Sequence, residues 1–289
     1  MGGGSWTRSA FTAYSKSVGR DVDLSSGDLK GTYTTQEMFK ARHLDEALNP
    51  YNVIRECCDS EEHPETIPVI LALDVTGSMG KSSVEVAKKL NVVMTDLYKK
   101  VKDVEFMIMA IGDLAYDCYP IQASQFESDI RIAEQLDKVY FEGGGGGNAY
   151  ESYTAAWYFG ARHTKLDCWN RGKKGLIITI GDELINPYLL KNELENTTGD
   201  SLQDDIGTKS LLEEVLPKYE LYHLNVKDTY SGSNQHNVES FAEFIGVDHV
   251  RNVSVNNIAE NIVDIVIKHA NTAANIASSI TEDSGAISW

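Results

Sequence analysis

Membrane-length apolar runs, clustered basic residues and a Cys-x-x-Cys spacing are all missing from this chain of 289 residues. No apolar stretch approaches the roughly 20 residues a membrane-spanning helix needs. The N-terminus carries no apolar core of a secretory signal. Lysine and arginine total 26 against 43 aspartates and glutamates, a formal net charge of −17. With no block of Lys or Arg to offset that charge, nucleic-acid phosphates and anionic membrane surfaces are repelled. The four cysteines include an adjacent pair, Cys57-Cys58, but no Cys-x-x-Cys. That excludes a zinc-knuckle spacing and a disulfide framework, and it suits a reducing, cytoplasmic compartment.

What is present is enough apolar residue, 42%, for a sizeable core. Residues 1–66 are polar and rich in turn formers, with short helices expected over 7–18 and 36–47. Too few apolar residues lie there for an independent core, so the segment is expected to be an arm packed on a larger domain at 67–280. A C-terminal tail is expected at 281–289.

From Ile67 onward, unbroken apolar runs alternate with amphipathic stretches. Strands are expected over 67–74, 104–111, 140–141, 176–180 and 221–226, with an edge strand at 249–250. Helices are expected over 81–101, 128–139, 149–163, 189–194, 210–216 and 238–245, and from about 258 onward. Continuous apolar strands alternating with helices predict a doubly wound, mostly parallel sheet in a three-layer α/β/α sandwich. Such sheets bind ligands outside the carboxyl ends of their strands, so polar residues just after strands carry the chemistry.

Three strand ends stand out. Asp74, Thr76 and Ser78 follow the first strand in one tight turn containing Gly77 and Gly80. The five glycines from Gly143 to Gly147 precede Asn148 and Glu151, and Asp182 follows a later strand with Glu183 beside it. A carboxylate and two hydroxyls at alternate positions form an all-oxygen donor set, which suits Mg²⁺, Mn²⁺ or Ca²⁺ better than zinc. The bland alternative for Thr76 and Ser78 is an ordinary helix cap. No Gly-Lys-Ser/Thr follows the glycine run, so it is not a P-loop.

The run Asp74-Val75-Thr76-Gly77-Ser78 after an apolar strand resembles the metal-ion-dependent adhesion site of von Willebrand factor type A domains. That family's pattern is Asp-x-Ser-x-Ser, then a threonine in a glycine-rich loop, then an aspartate after a later strand. The resemblance covers 67–267. It implies Asp74, Thr76, Ser78 and Asp182 as metal site residues, with Asn148 or Glu151 where the loop threonine is missing. It also implies a non-catalytic, intracellular bacterial or phage-like protein whose ion engages an acidic group of a partner, such as an AAA+ ATPase or a multiprotein assembly.

Two alternatives are weighed against it. Asp74 with Gly112-Asp113 and Asp117 resembles haloacid-dehalogenase phosphatases, but their acid/base aspartate would fall at Thr76, which cannot transfer the proton. A structural subunit with an empty metal site is the other. His163, His223 and His249 have no Ser, Asp or Cys partner at a catalytic spacing, and no catalytic residue is assigned.

Overall fold

The computed structural model describes residues 4–144 and 147–283, with side chains to residue 272. Part of the glycine run (145–146) and of the expected tail (284–289) lies outside the described residues. The central sheet has six strands: β1 (Ile67–Asp74), β2 (Val104–Ile111), β3 (Ile121–Ala123), β4 (Gly175–Gly181), β5 (Tyr219–Val226) and β6 (Val250–Val253). Their spatial order is β6-β5-β4-β1-β2-β3, and all pairs are parallel except β2 with β3. The architecture is the expected three-layer α/β/α sandwich.

Alternation along β1 explains the two outer layers. Val69, Leu71 and Leu73 face one core, and Ile70 and Ala72 face the other. The first core receives the helices α2 (Gly80–Lys88), α3 (Leu90–Tyr98), α4 (Arg131–Asp137) and α9 (Ile258–Asp283). The second receives α5 (Thr154–Arg162), α6 (Lys191–Thr198), α7 (Thr208–Val215) and α8 (Gln235–Ile245). The N-terminal segment contributes a helix, α1 (Arg8–Ser17), and it buries Trp6, Phe11, Met38, Phe39 and Leu48 in the first core. Trp6 Nε1 donates to Asn91 Oδ1 at 3.2 Å, which satisfies the indole inside the packing. Arg55–Cys57 pairs in parallel with Thr164–Leu166 on the opposite side.

Several expected elements differ, each for a visible reason. The helix over 81–101 is two helices, α2 and α3, with the turn tightened at Lys89, whose N–H bonds Val86 O. Residues 140–141 do not form a strand. The Gln122 side chain takes the place of a strand partner, accepting from Tyr140 N and donating to Tyr140 O, both at 2.8 Å. The helix expected from 149 begins only at Thr154. Tyr150–Glu151 instead pairs in parallel with Leu184–Ile185, and Asn186 Oδ1 accepts from Thr154 N. The helix expected over 36–47 is only Thr35–Met38, closed by a Thr34–Glu37 capping box, plus a short 3₁₀ turn at Glu46–Leu48. The helix over 128–139 shortens to α4 because Glu127 is still paired with Phe106. Likewise Tyr188–Leu189 pairs with Ile206–Gly207, which pushes α6 later than expected.

Candidate metal centre

The strand order places a crevice between β1 and β4. The chain leaves β1 toward β2 on one side and returns to β4 on the other, so the loops after these two strands diverge. Asp74 ends β1, and Asp182 follows β4 directly. Both are fully buried, as is Thr76, whereas Ser78 is exposed at the mouth.

Four of the sequence-predicted residues form one connected group. Asp74 Oδ1 accepts from Thr76 N at 2.9 Å and from Thr76 Oγ1 at 2.7 Å. Ser78 Oγ donates to Asp182 Oδ1 at 2.9 Å. Thr76 Oγ1 and Ser78 Oγ stand 3.2 Å apart. Each hydroxyl is also within hydrogen-bond reach of a carboxylate oxygen, so the two hydroxyls and the two acids converge on one spot. Asp182 Oδ2 and Glu151 Oε2 are buried with no hydrogen-bond partner. Buried oxygens in that condition are costly unless something cationic or protic is shared among them.

Asn148 is placed elsewhere. Its Nδ2 donates to Asp113 Oδ2 at 2.6 Å, within a loop where Asp113 Oδ1 also accepts from Ala115 N. Asp117 Oδ2 accepts from Asp113 N at 2.7 Å, so each aspartate gives one oxygen to turn geometry. Among the described residues, no three His, Cys, Asp or Glu side chains are placed to hold a metal between them. Any ion site here therefore depends on the hydroxyls.

Electrostatics distinguish the acids. Burial, reinforced by the Asp182 charge, raises the Asp74 pKa. Burial and then the charge of Asp74 raise that of Glu151 further. Burial also raises Asp182. Clustered, desolvated carboxylates hold protons more tightly than free ones, and a divalent cation would displace those protons.

Tyr153 was not singled out in the sequence, where it reads as one more aromatic of a helix. Its hydroxyl donates to Asp74 Oδ2 at 2.6 Å and accepts from Asp182 N at 3.1 Å and Glu183 N at 3.2 Å. It thus ties the end of β1 to the end of β4. The ring packs edge-on against His223 and Phe241, each with centroids 5.4 Å away. A Cβ at Gly181 would lie 2.1 Å from the Tyr153 hydroxyl oxygen, so only glycine admits this contact. Gly77 has a similar role: a Cβ there would meet Gly144 O at 2.7 Å, and Gly77 N donates to that oxygen at 2.6 Å. The glycine run is thereby laid directly on the Asp74–Ser78 turn.

The histidines have structural partners. His163 Nε2 lies 2.7 Å from Asp200 Oδ2. His223 lies flat on Phe241 and 2.9 Å from Thr179 Oγ1, and burial lowers its pKa to about 3. His249 packs against Tyr222, its ring centroid 4.7 Å away. All four cysteines are free thiols. Among the described residues, no helix is long and apolar enough to cross a membrane.

No protein-family profile matches the sequence, and no curated protein matches it. Solved structures with a similar fold include the pilus adhesin SpaC of Lactobacillus rhamnosus GG in its open conformation, with TM-score 0.48 at 12% identity. That alignment covers 75% of this chain and 31% of the adhesin. The vWF domain of the type V pilus tip protein Mfa5 of Porphyromonas gingivalis gives TM-score 0.44 at 11% identity, covering 72% of this chain and 95% of that one. BatB of Bacteroides thetaiotaomicron gives TM-score 0.41 at 14% identity, covering 71% and 99%. This chain thus spans about a third of the length of the first of these. At such scores, the fold assignment rests on the strand order and layers described above.

Proposed function

We propose that the crevice between β1 and β4 binds one divalent cation and uses it to engage a carboxylate of a protein partner, without catalysis, as in a von Willebrand type A domain. The observation that carries this reading is the convergence of two hydroxyls, Thr76 and Ser78, 3.2 Å apart, on the buried carboxylates of Asp74 and Asp182. Octahedral Mg²⁺ with ligands at about 2.1 Å needs neighbouring oxygens about 3 Å apart. The Thr76–Ser78 and Ser78–Asp182 separations, 3.2 and 2.9 Å, are compatible with that spacing. Mg²⁺ or Mn²⁺ is the proposed ion, with Thr76, Ser78 and Asp182 as donors. Asp74 orients Thr76 and supplies charge.

Of the two candidates for a further donor, Glu151 is preferred. Its Oε2 is buried and unpartnered, whereas Asn148 already serves Asp113. The exposed position of Ser78 leaves the ion open to solvent, where a partner's carboxylate would bind. An AAA+ ATPase or a multiprotein assembly is the partner class the family resemblance suggests. The phosphatase alternative has little support: Asp74 is fully buried, and both its oxygens already accept hydrogen bonds.

Mn²⁺ titration followed by water-proton relaxation tests the reading. Wild-type protein should bind one Mn²⁺ with enhanced relaxivity, and a carboxylate-bearing peptide should lower it by displacing water. Asp74→Ala should abolish both effects. No binding of Mn²⁺ would leave a structural subunit with an empty site, and partner binding indifferent to EDTA would reject the metal bridge.

A further inference from the structure

A second feature lies beside the crevice and is not needed for the ion. A cleft of about 360 Å³ opens where the N-terminal segment, the loop between β2 and β3 and helix α6 meet. Its wall carries Asp117 and Glu193, and no lysine or arginine is among its lining residues. Glu142 reinforces the negative wall from behind, accepting from Cys118 N at 3.2 Å and Tyr119 N at 2.5 Å. Asn49, Asn196 and Thr197 add neutral polar groups, and Pro50, Tyr51, Leu114 and Ile121 supply an apolar and aromatic stretch. Tyr51 is half exposed, with its ring open to a ligand. The cleft adjoins the proposed ion site: Asp117 lines it and also lies 3.4 Å from where a Gly144 Cβ would stand in the glycine run.

Two acids without a basic neighbour, an open tyrosine ring and an apolar stretch select a cation on an otherwise apolar carrier. The two carboxylates of the lining attract the charge, an aromatic face adds a cation–π contact, and the apolar stretch takes aliphatic carbons. The net charge of −17 draws the same class of ligand from a distance. We propose that this cleft binds a lysine- or arginine-bearing segment of a protein partner, with its cation against Asp117 and Glu193 and a neighbouring apolar side chain against Leu114 and Pro50. A partner reaching both sites would offer a carboxylate to the ion and a basic residue to the cleft. The cleft proposal stands whether or not the ion binds.

Cys118 is exposed and lines the cleft, which allows a direct test by disulfide exchange. The intact protein is equilibrated in EDTA, under fixed 2-mercaptoethanol, with blocked peptides Cys-Gly-Lys-Leu, Cys-Gly-Gln-Leu, Cys-Gly-Glu-Leu and Cys-Gly-Lys-Ser, each supplied as its mixed disulfide with 2-mercaptoethanol, which leaves as the thiol when Cys118 is captured. Peptide mapping then reads the fraction captured at Cys118, with partly buried Cys58 as internal reference. The Lys-Leu peptide should be captured at least threefold more than the Gln peptide, and the Glu peptide less than either. Replacing its Leu with Ser should lower capture, and high salt should erase the charge preference. Glu193→Gln, a change on the surface of α6, should at least halve the preference, as should Asp117→Asn. Equal capture of the Lys and Gln peptides, or a preference unaltered by Glu193→Gln, overturns the proposal. Because EDTA is present throughout, the outcome is separate from that of the metal reading.

Discussion

Tyr153→Phe isolates the one atom that joins the two halves of the crevice. The ring keeps its packing against His223 and Phe241, since neither contact involves the hydroxyl. What is lost is a donor to Asp74 Oδ2 and a shared acceptor for two backbone N–H groups. A hydrogen bond to a charged group contributes about 1.5–3 kcal/mol net, and each buried group left unpaired costs about 1–3 kcal/mol. Asp182 N is the more deeply buried of the two amides, and Glu183 N has partial access to water. Taken together, the loss should be about 3–5 kcal/mol, a large share of the roughly 5–15 kcal/mol that holds a domain folded. Urea unfolding in EDTA, followed by circular dichroism and tryptophan fluorescence, measures it. The midpoint should fall with the slope unchanged, because the exposed surface is the same. A loss below about 1 kcal/mol would refute the view that Tyr153 holds the crevice together. Mg²⁺ should recover less stability in the variant than in the wild type, because Asp74 and Asp182 are no longer held in register.

Gly181→Ala should be at least as damaging, since its Cβ would sit 2.1 Å from the Tyr153 hydroxyl oxygen and the ring has no free space to enter; thermal melting or loss of soluble protein reports it. Saturating Mg²⁺ at about 100 times its dissociation constant should stabilise the wild type by about 2.7 kcal/mol, and Asp182→Asn should abolish that gain in a melt with and without EDTA. Trp6→Ala should cost about 3–5 kcal/mol by emptying its place in the first core and removing one of the hydrogen bonds to Asn91, measured by urea unfolding; a neutral result would mean the N-terminal segment does not stabilise the sandwich. The Arg162 fork on Glu214, at 2.9 and 2.8 Å, holds that carboxyl below its usual 4.5. A depressed carboxyl pKa contributes stability above the unfolded value that is lost as pH falls through the folded one. Both side chains are about a third exposed, so Glu214→Gln should cost only about 0.5 kcal/mol at neutral pH and nothing once the carboxyl is protonated, read from unfolding curves across that range.

The strands that build the sheet were legible because burial on both faces leaves a continuous apolar run, as in Ile67–Asp74 and Gly175–Gly181. Helix boundaries were less legible wherever a distant group intervened. Gln122 occupies the backbone of Tyr140, Ile185 pairs with Glu151, and Asn186 caps Thr154, and none of these partners is near in sequence. Propensity along the chain carries no information about such partners. The turn Asp74–Ser78 and the later Asp182 could be picked out because short polar side chains directly after apolar strands are conspicuous. Tyr153 could not, because an aromatic among Trp157, Tyr158 and Phe159 looks like core until its hydroxyl is seen between two strand ends.

The sequence alone determined the class of sheet, the oxygen-bearing side chains at its strand ends and the acidic net charge. Those follow from local patterns: apolar continuity, residue chemistry and net charge. Only the tertiary structure decided that Ser78 reaches Asp182, that Asn148 turns to Asp113 while Glu151 keeps an unpartnered oxygen, and that Asp117 and Glu193 share one cleft. The physical reason is the order of the strands. β4 returns to the side of β1 away from β2, and that places residues 104 positions apart within one hydrogen bond.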